Sequence, residues 1–186
     1  KDNFNYQSIE SMSKIYCKEI KKNYDSDKYV FCGWSMGGLI AYEVAMQLQN
    51  QTENIILIDS FTPEQMNMLI NKKHSRVYYA HMVKSFIADL MNIFGKKVLI
   101  PIDKIQNLHP DEQLCFIIDF LNKSQIFSEK QEKRIFERCL LLYKNHFMAC
   151  RNYKPKKWSG KIALIKAEDN ESEIKLPIDS DYKWKK

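Results

Sequence analysis

The sequence predicts an α/β fold with a mostly parallel central sheet, helices serving as crossovers, and a long helical insertion between two strands. Three observations predict it. Short apolar runs lie at Tyr29–Cys32, Asn54–Ile58 and within Lys161–Ala167, each of strand length and bounded by polar residues or glycine, as in strands buried on both faces. A segment of helical periodicity separates the first two runs, which is the connection that a parallel pair needs. Between Pro63 and Tyr153 the pattern changes and long helical segments dominate.

The elements follow in order. Ile9, Met12, Tyr16 and Ile20 share one face of a helix from Ser8 to Lys22, and the polar stretch from Asn23 to Lys28 ends it. The strand at Tyr29–Cys32 leads at once into a helix from Met36 to about Gln49, with Ile40, Val44 and Leu48 four residues apart and Ala41 and Ala45 beside them. Asn54–Ile58 is the next strand. Long helices then run from Ser75 to Phe94, Asp111 to Lys123 and Ser128 to Arg151. Pro110 suits a first turn, and Ser128 with Gln131 fits a capping box. The sheet resumes at Ile162–Ile165. One domain results, with its core in residues 1–62 and 154–186 and a helical lid insertion over about 63–153.

The composition excludes several classes. With 186 residues, 45% of them apolar and 12% aromatic, the chain can bury a sizeable core, so it is neither disordered nor fibrous. No apolar run is long enough to span a bilayer, and the N-terminal stretch is polar and amphipathic instead of a secretion signal, which predicts a soluble, cytoplasmic protein with no membrane partner. The five cysteines, 17, 32, 115, 139 and 150, are odd in number and never spaced as CxxC. They indicate neither a disulfide framework nor a metal site, and Cys32, inside a strand, reads as a small core hydrophobe. Lysine and arginine exceed the acids by 29 to 23, with basic groups at Lys154, Lys156 and Lys157 and at Lys183, Lys185 and Lys186. No nucleic-acid module accompanies them, so nucleic acid is not an expected partner.

Chemistry concentrates at Gly33-Trp34-Ser35-Met36-Gly37, which matches G-x-S-x-G with a strand before it and a helix after it. That context is the nucleophile elbow of an α/β-hydrolase fold. A sharp strand-to-helix turn exposes the Ser35 hydroxyl, Gly33 and Gly37 avoid backbone clashes on either side, and Gly38 lets the helix approach the sheet. The backbone N–H of Met36, at the helix start, can face the oxyanion formed when a carbonyl is attacked. A serine needs a base, and the base an orienting carboxylate. Two carboxylates sit just beyond strand ends, Asp59 and Asp169, the latter in the charged cluster Glu168-Asp169-Asn170-Glu171. His74, His81, His109 and His146 all fall in the helical insertion and none follows the last strand, so none is assigned as the base.

The stretch YVFCGWSMGGLIAYEVAMQL, followed by NIILIDSF, resembles the terminal (type I) thioesterase domains of nonribosomal peptide and polyketide synthases. The string Gly-Trp-Ser-x-Gly-Gly-x-x-Ala-Tyr-Glu is far more specific than the elbow alone. The later stretch NHFMACRNYKPKKWSGKIALIKAED resembles the end of that family's lid, a Tyr-x-Pro turn and the following strand. The resemblance implies that Asp59 is the orienting acid in preference to Asp169, and that Trp34 marks the synthase-terminal type. It also implies an acyl or peptidyl chain carried as a phosphopantetheine thioester on a carrier protein, in the same polypeptide and with no other cofactor. The fold is then expected to be truncated at both ends, with the first strands before Lys1 and the catalytic histidine after Trp184. Met82, Phe86, Leu90 and Phe94 would be lid contacts to the acyl chain, unless their helical stripe is plain core. The elbow alone equally permits a lipase or carboxylesterase, and the missing histidine permits a noncatalytic hydrolase-like binding module.

Overall fold

The computed structural model describes residues 8–71, 73–124, 130–166, 181 and 184. Three strands, β1 (Tyr29–Trp34), β2 (Thr52–Ile58) and β3 (Lys161–Ile165), form a sheet of order β1-β2-β3 in which both pairings are parallel. Around it run α1 (Ile9–Asn23), α2 (Met36–Gln47), α3 (Pro63–Asn71), α4 (Lys73–Ile93), α5 (Ile102–Ile105), α6 (Pro110–Lys123) and α7 (Lys130–Asn152). The mostly parallel α/β reading stands. The sequence reading overlooked α3 and α5; the capping box at Ser128 lies outside the described residues, as does Ala167. No described helix is long and apolar enough to cross a membrane.

The chain divides into two compact units. The first comprises Lys1–Asn67, Asn145–Ser172 and Ile178–Lys186, and the second Met68–Lys144 and Glu173–Pro177.

In the first unit the strand register sorts the side chains. Phe31, Ile55, Leu57, Ile162 and Leu164 point to one face, and they pack with Ile9 and Met12 of α1, Leu39, Tyr42 and Ala45 of α2, and Ala149 and Cys150 of α7. The opposite face carries Val30, Cys32, Trp34 and Ile165, with Val30 50%, Trp34 70% and Ile165 52% exposed. This corrects the expectation of strands buried on both faces. Continuous apolarity tells only that a strand could be covered twice, whereas the described helices of this unit all pack on the Ile55 and Leu57 face. Cys32 is therefore exposed, not a core thiol, and so is Cys115 on α6. Cys17 and Cys150 are buried, and burial pushes the Cys150 thiol up to about 12, which keeps it protonated.

Helix α1 starts on a capping box: the Ser8 hydroxyl accepts from the Ser11 N–H at 3.1 Å, and the Ser11 hydroxyl accepts from the Ser8 N–H at 3.2 Å. Its buried face is rotated from the predicted one. Tyr16 is 53% exposed, while Ser13 and Cys17 are buried and approach α2, where the Ser13 hydroxyl donates to the Ile40 carbonyl at 3.3 Å. Two small residues one turn apart let the helices come close, and that outweighs the larger apolar area of Tyr16. The loop after α7 is fastened to α2 by two phenols: Tyr42 donates to the Lys156 carbonyl at 2.6 Å, and Tyr153 donates to the Glu43 carboxylate at 2.8 Å. Burial and the adjacent Glu43 charge both raise the Tyr153 pKa, so it stays a donor.

The second unit has its own apolar interior, including Ala80, Val83, Ile87, Met91, Ile105, Ile117, Leu121, Phe136 and Leu140. The buried Gln113 amide donates to the Arg76 and Leu108 carbonyls at 3.1 and 2.9 Å. The stripe considered for acyl contacts belongs to this interior. Phe86 stacks on Tyr143 at 4.4 Å, Leu90 is buried, and Phe94 meets Phe136 edge-on at 6.5 Å; the side chain of Met82 lies outside the described residues. Its described members are core packing, because rings at helical spacing found aromatic partners.

Replacing Tyr153 by Phe keeps the ring and removes the bond to Glu43. We expect urea denaturation to show a loss of about 1–2 kcal/mol in unfolding free energy; an unchanged midpoint would show that the bond contributes nothing.

Candidate active site

The site grows from the way β1 ends. Trp34 is paired with Ile58 in register, and the ladder extends one residue further, with the Ser35 N–H donating to the Ile58 carbonyl at 2.8 Å. The next strand repeats the device, since the Asp59 N–H donates to the Ile165 carbonyl at 2.9 Å. Ser35 and Asp59 therefore occupy equivalent positions at the carboxyl ends of adjacent parallel strands, whose spacing is roughly 5 Å. Both depart from the extended conformation at that point. Ser35 has φ 52° and ψ −123°, and Asp59 has φ 44°. Such angles cost an L-residue about 1–3 kcal/mol and persist only where the surroundings over-determine them. For Asp59 the signal in the sequence was its residue type, since aspartate just past a strand also suits a turn.

At Ser35 the determinants are visible. Besides its N–H bond across to β2, its carbonyl accepts from the Gly38 N–H at 3.0 Å and from the Ser60 hydroxyl at 2.8 Å. Ser35 itself is exposed and stands at the N-cap of α2, where its side chain makes no capping bond. Its hydroxyl is thus not consumed by the helix start. Met36 is the first residue of α2, one of the positions whose N–H finds no acceptor within a helix. Trp34, the residue before Ser35, lies on the open sheet face.

The glycines separate into two kinds. A Cβ on Gly33 would run into the carbonyl of Gly37, and one on Gly38 would run into the Ser60 side chain. Gly37 is different: a Cβ there meets no described atom within 4 Å. The expectation that Gly33 and Gly37 both relieve clashes is right for Gly33 and corrected for Gly37, because α2 turns that residue away from the strand. The small residue that sequence reasoning missed is Ser60. It is fully buried, and its only signal was a short polar side chain directly after Asp59.

Asp169 lies outside the described residues, as do the side chains of His74 and His81. His109 precedes α6 in the second unit, and His146 lies on α7, where burial holds its imidazole below the usual value and favours the neutral form. A cavity of about 610 Å³ in the first unit is lined by Thr62, Asn67, Arg151, Lys156 and Trp158 among others, but not by Ser35, Met36 or Asp59. It is therefore not the space directly in front of the serine.

Residues 2–88 match the family model of the thioesterase domain. A non-reducing polyketide synthase of Preussia isomera, Preu8, is 38% identical over 69 residues, which is 36% of this chain and 3% of that protein. The thioesterase pynI of Aspergillus niger is 35% identical over 68 residues, 35% of this chain and 23% of that protein. The matched stretches are thus a small part of these relatives. The fold is similar to that in the crystal structure of a four-domain nonribosomal peptide synthetase bound to AMP and glycine, with a TM-score of 0.59 and 23% identity over 99% of this chain and 14% of that one. The resemblance to synthase thioesterase domains, and the α/β-hydrolase type of fold that goes with it, therefore stand.

The glycine contrast is testable by substitution. Gly33→Ala is expected to destabilise the chain by several kcal/mol or prevent folding, whereas Gly37→Ala should leave the melting temperature unchanged or higher, since alanine favours a helix. Equal melting temperatures for the two variants would contradict the geometry of the bend.

Proposed function

We propose that the protein is a thioesterase that releases an acyl or peptidyl chain from a phosphopantetheine thioester on a carrier protein, through an ester on Ser35. The observation that carries this reading is the exposed Ser35 in a strained bend with Asp59 at the matching position of the next strand. The Ser35 oxygen attacks the thioester carbonyl, and its proton passes to an imidazole that Asp59 orients. The carbonyl oxygen becomes an oxyanion facing the Met36 N–H, which stabilises the charge as it develops. Collapse breaks the carbon–sulfur bond, and the departing thiolate takes the proton back from the imidazole. Water, or a nucleophile within the chain itself, then repeats the attack on the ester, giving hydrolysis or cyclisation.

The residues have distinct roles in this scheme. Ser35 is the nucleophile, Met36 serves through its backbone, and Gly33 and Gly38 give the bend the room it needs. None of the four histidines follows β3, and none of them is assigned as the source of the imidazole. The carrier protein is the partner, and the exposed Lys154, Lys156 and Lys157 suit an acidic one.

The full protein with Ser35→Ala should fail to become labelled by an acyl-thioester or fluorophosphonate probe, and turnover should fall by about 10⁴-fold or more. Undiminished labelling would remove Ser35 from its role. Asp59→Asn should cost about 10⁴-fold in kcat with folding preserved, and a near-normal rate would point to another acid. Faster turnover of a matched oxoester than of an acyl-pantetheine thioester would favour a carboxylesterase.

A further inference from the structure

We propose that Ser60 is a positioning residue for the Met36 N–H, and that Trp184 in turn holds Ser60; the inference rests on reading Ser35 as the nucleophile. The argument begins with the peptide unit between Ser35 and Met36. It is a rigid trans plane, so the Ser35 carbonyl and the Met36 N–H point in opposite directions from one plate. Whatever grips the carbonyl also aims the N–H.

Two donors grip it. The Gly38 N–H, at 3.0 Å, belongs to the first turn of α2 and moves with that helix. The Ser60 hydroxyl, at 2.8 Å, comes from the turn after β2 and so refers the plate to the strand end that bears Asp59. Ser60 is fully buried, which shields this bond from competing water. Its close approach also depends on Gly38, where any Cβ would occupy the space of the Ser60 side chain.

Ser60 is itself anchored. Its carbonyl accepts from the Trp184 indole N–H at 2.7 Å, and the Trp184 ring lies against Tyr42 of α2 with centroids 4.8 Å apart. The path from Tyr42 through Trp184 and Ser60 to Ser35 begins and ends on the region of α2. It closes a loop around the turn bearing Asp59, so the acid and the oxyanion donor share one support.

The test uses the full protein and its Ser60→Ala, Ser60→Cys and Trp184→Phe variants. It measures kcat and KM on an acyl-thioester, the rate of fluorophosphonate labelling, the pH profile, and folding by circular dichroism. Ser60→Ala should lower kcat and the labelling rate by about tenfold, less than the roughly 100-fold loss on deleting an oxyanion donor outright. KM and the pH profile should not move, because neither the base nor ground-state binding is touched. Ser60→Cys, a weaker donor, should fall between wild type and alanine, and Trp184→Phe, which retains the ring, should shift kcat in the same direction. Wild-type kcat and labelling in a folded Ser60→Ala protein would overturn the inference. If that variant does not fold, an unchanged kcat in Trp184→Phe overturns it and a lowered kcat supports it. Labelling that survives Ser35→Ala would overturn the nucleophile assignment, and with it the premise of this inference.

Discussion

A serine with φ 52° is held in place by its neighbours on three sides, and most of the first unit can be understood as the means of holding it. Left to itself, the backbone of an L-residue would relax out of that region. Here relaxation would break the bond from the Ser35 N–H to β2 and expose or disrupt the bond from Ser60 to the Ser35 carbonyl. Hydrogen bonds that are lost without replacement cost more than they contribute when made, so the bend is locked by what its loss would leave unsatisfied.

The lock depends on α2 lying close to the sheet and staying there. Gly33 and Gly38 permit the approach at one end, and the Thr52 hydroxyl, within 3.2 and 3.0 Å of the Ala45 and Leu48 carbonyls, finishes the helix at the other. On its outer side α1 supports α2 through Ser13 and Cys17, which are small enough for a hydroxyl and a thiol to reach main-chain carbonyls. Polar atoms thus mark the tightest helix contact, while Ile9 and Met12 supply the apolar area.

The parallel arrangement explains why Ser35 and Asp59 share one edge of the sheet. Each strand must return by a crossover, so every strand delivers its carboxyl end to the same edge. One added residue of ladder at two successive strand ends then sets two chemically different residues at matching positions of adjacent strand ends. The other sheet face, with Val30, Cys32, Trp34 and Ile165, takes no part in this support. The helices of the second unit are packed by their own aromatic pairs, Phe86 with Tyr143 and Phe94 with Phe136.

Local chemistry was legible in the sequence because it depends on residues close together in the chain. The strand-elbow-helix order around Ser35, the parallel pair β1 and β2, the strand at Ile162–Ile165 and the long helices all follow from periodicity, turn residues and capping that a short window contains. The choice of face was not. Whether Tyr16 or Cys17 is buried, whether Cys32 is covered, and whether Gly37 or Gly38 needs to be glycine are each decided by what lies opposite, tens of residues away. Ser60 is the clearest case: one hydroxyl beside an acidic residue says nothing until the fold brings it to the carbonyl of Ser35. Tertiary structure alone decides such contacts, because a hydrogen bond depends on position in space and the sequence specifies only neighbours along the chain.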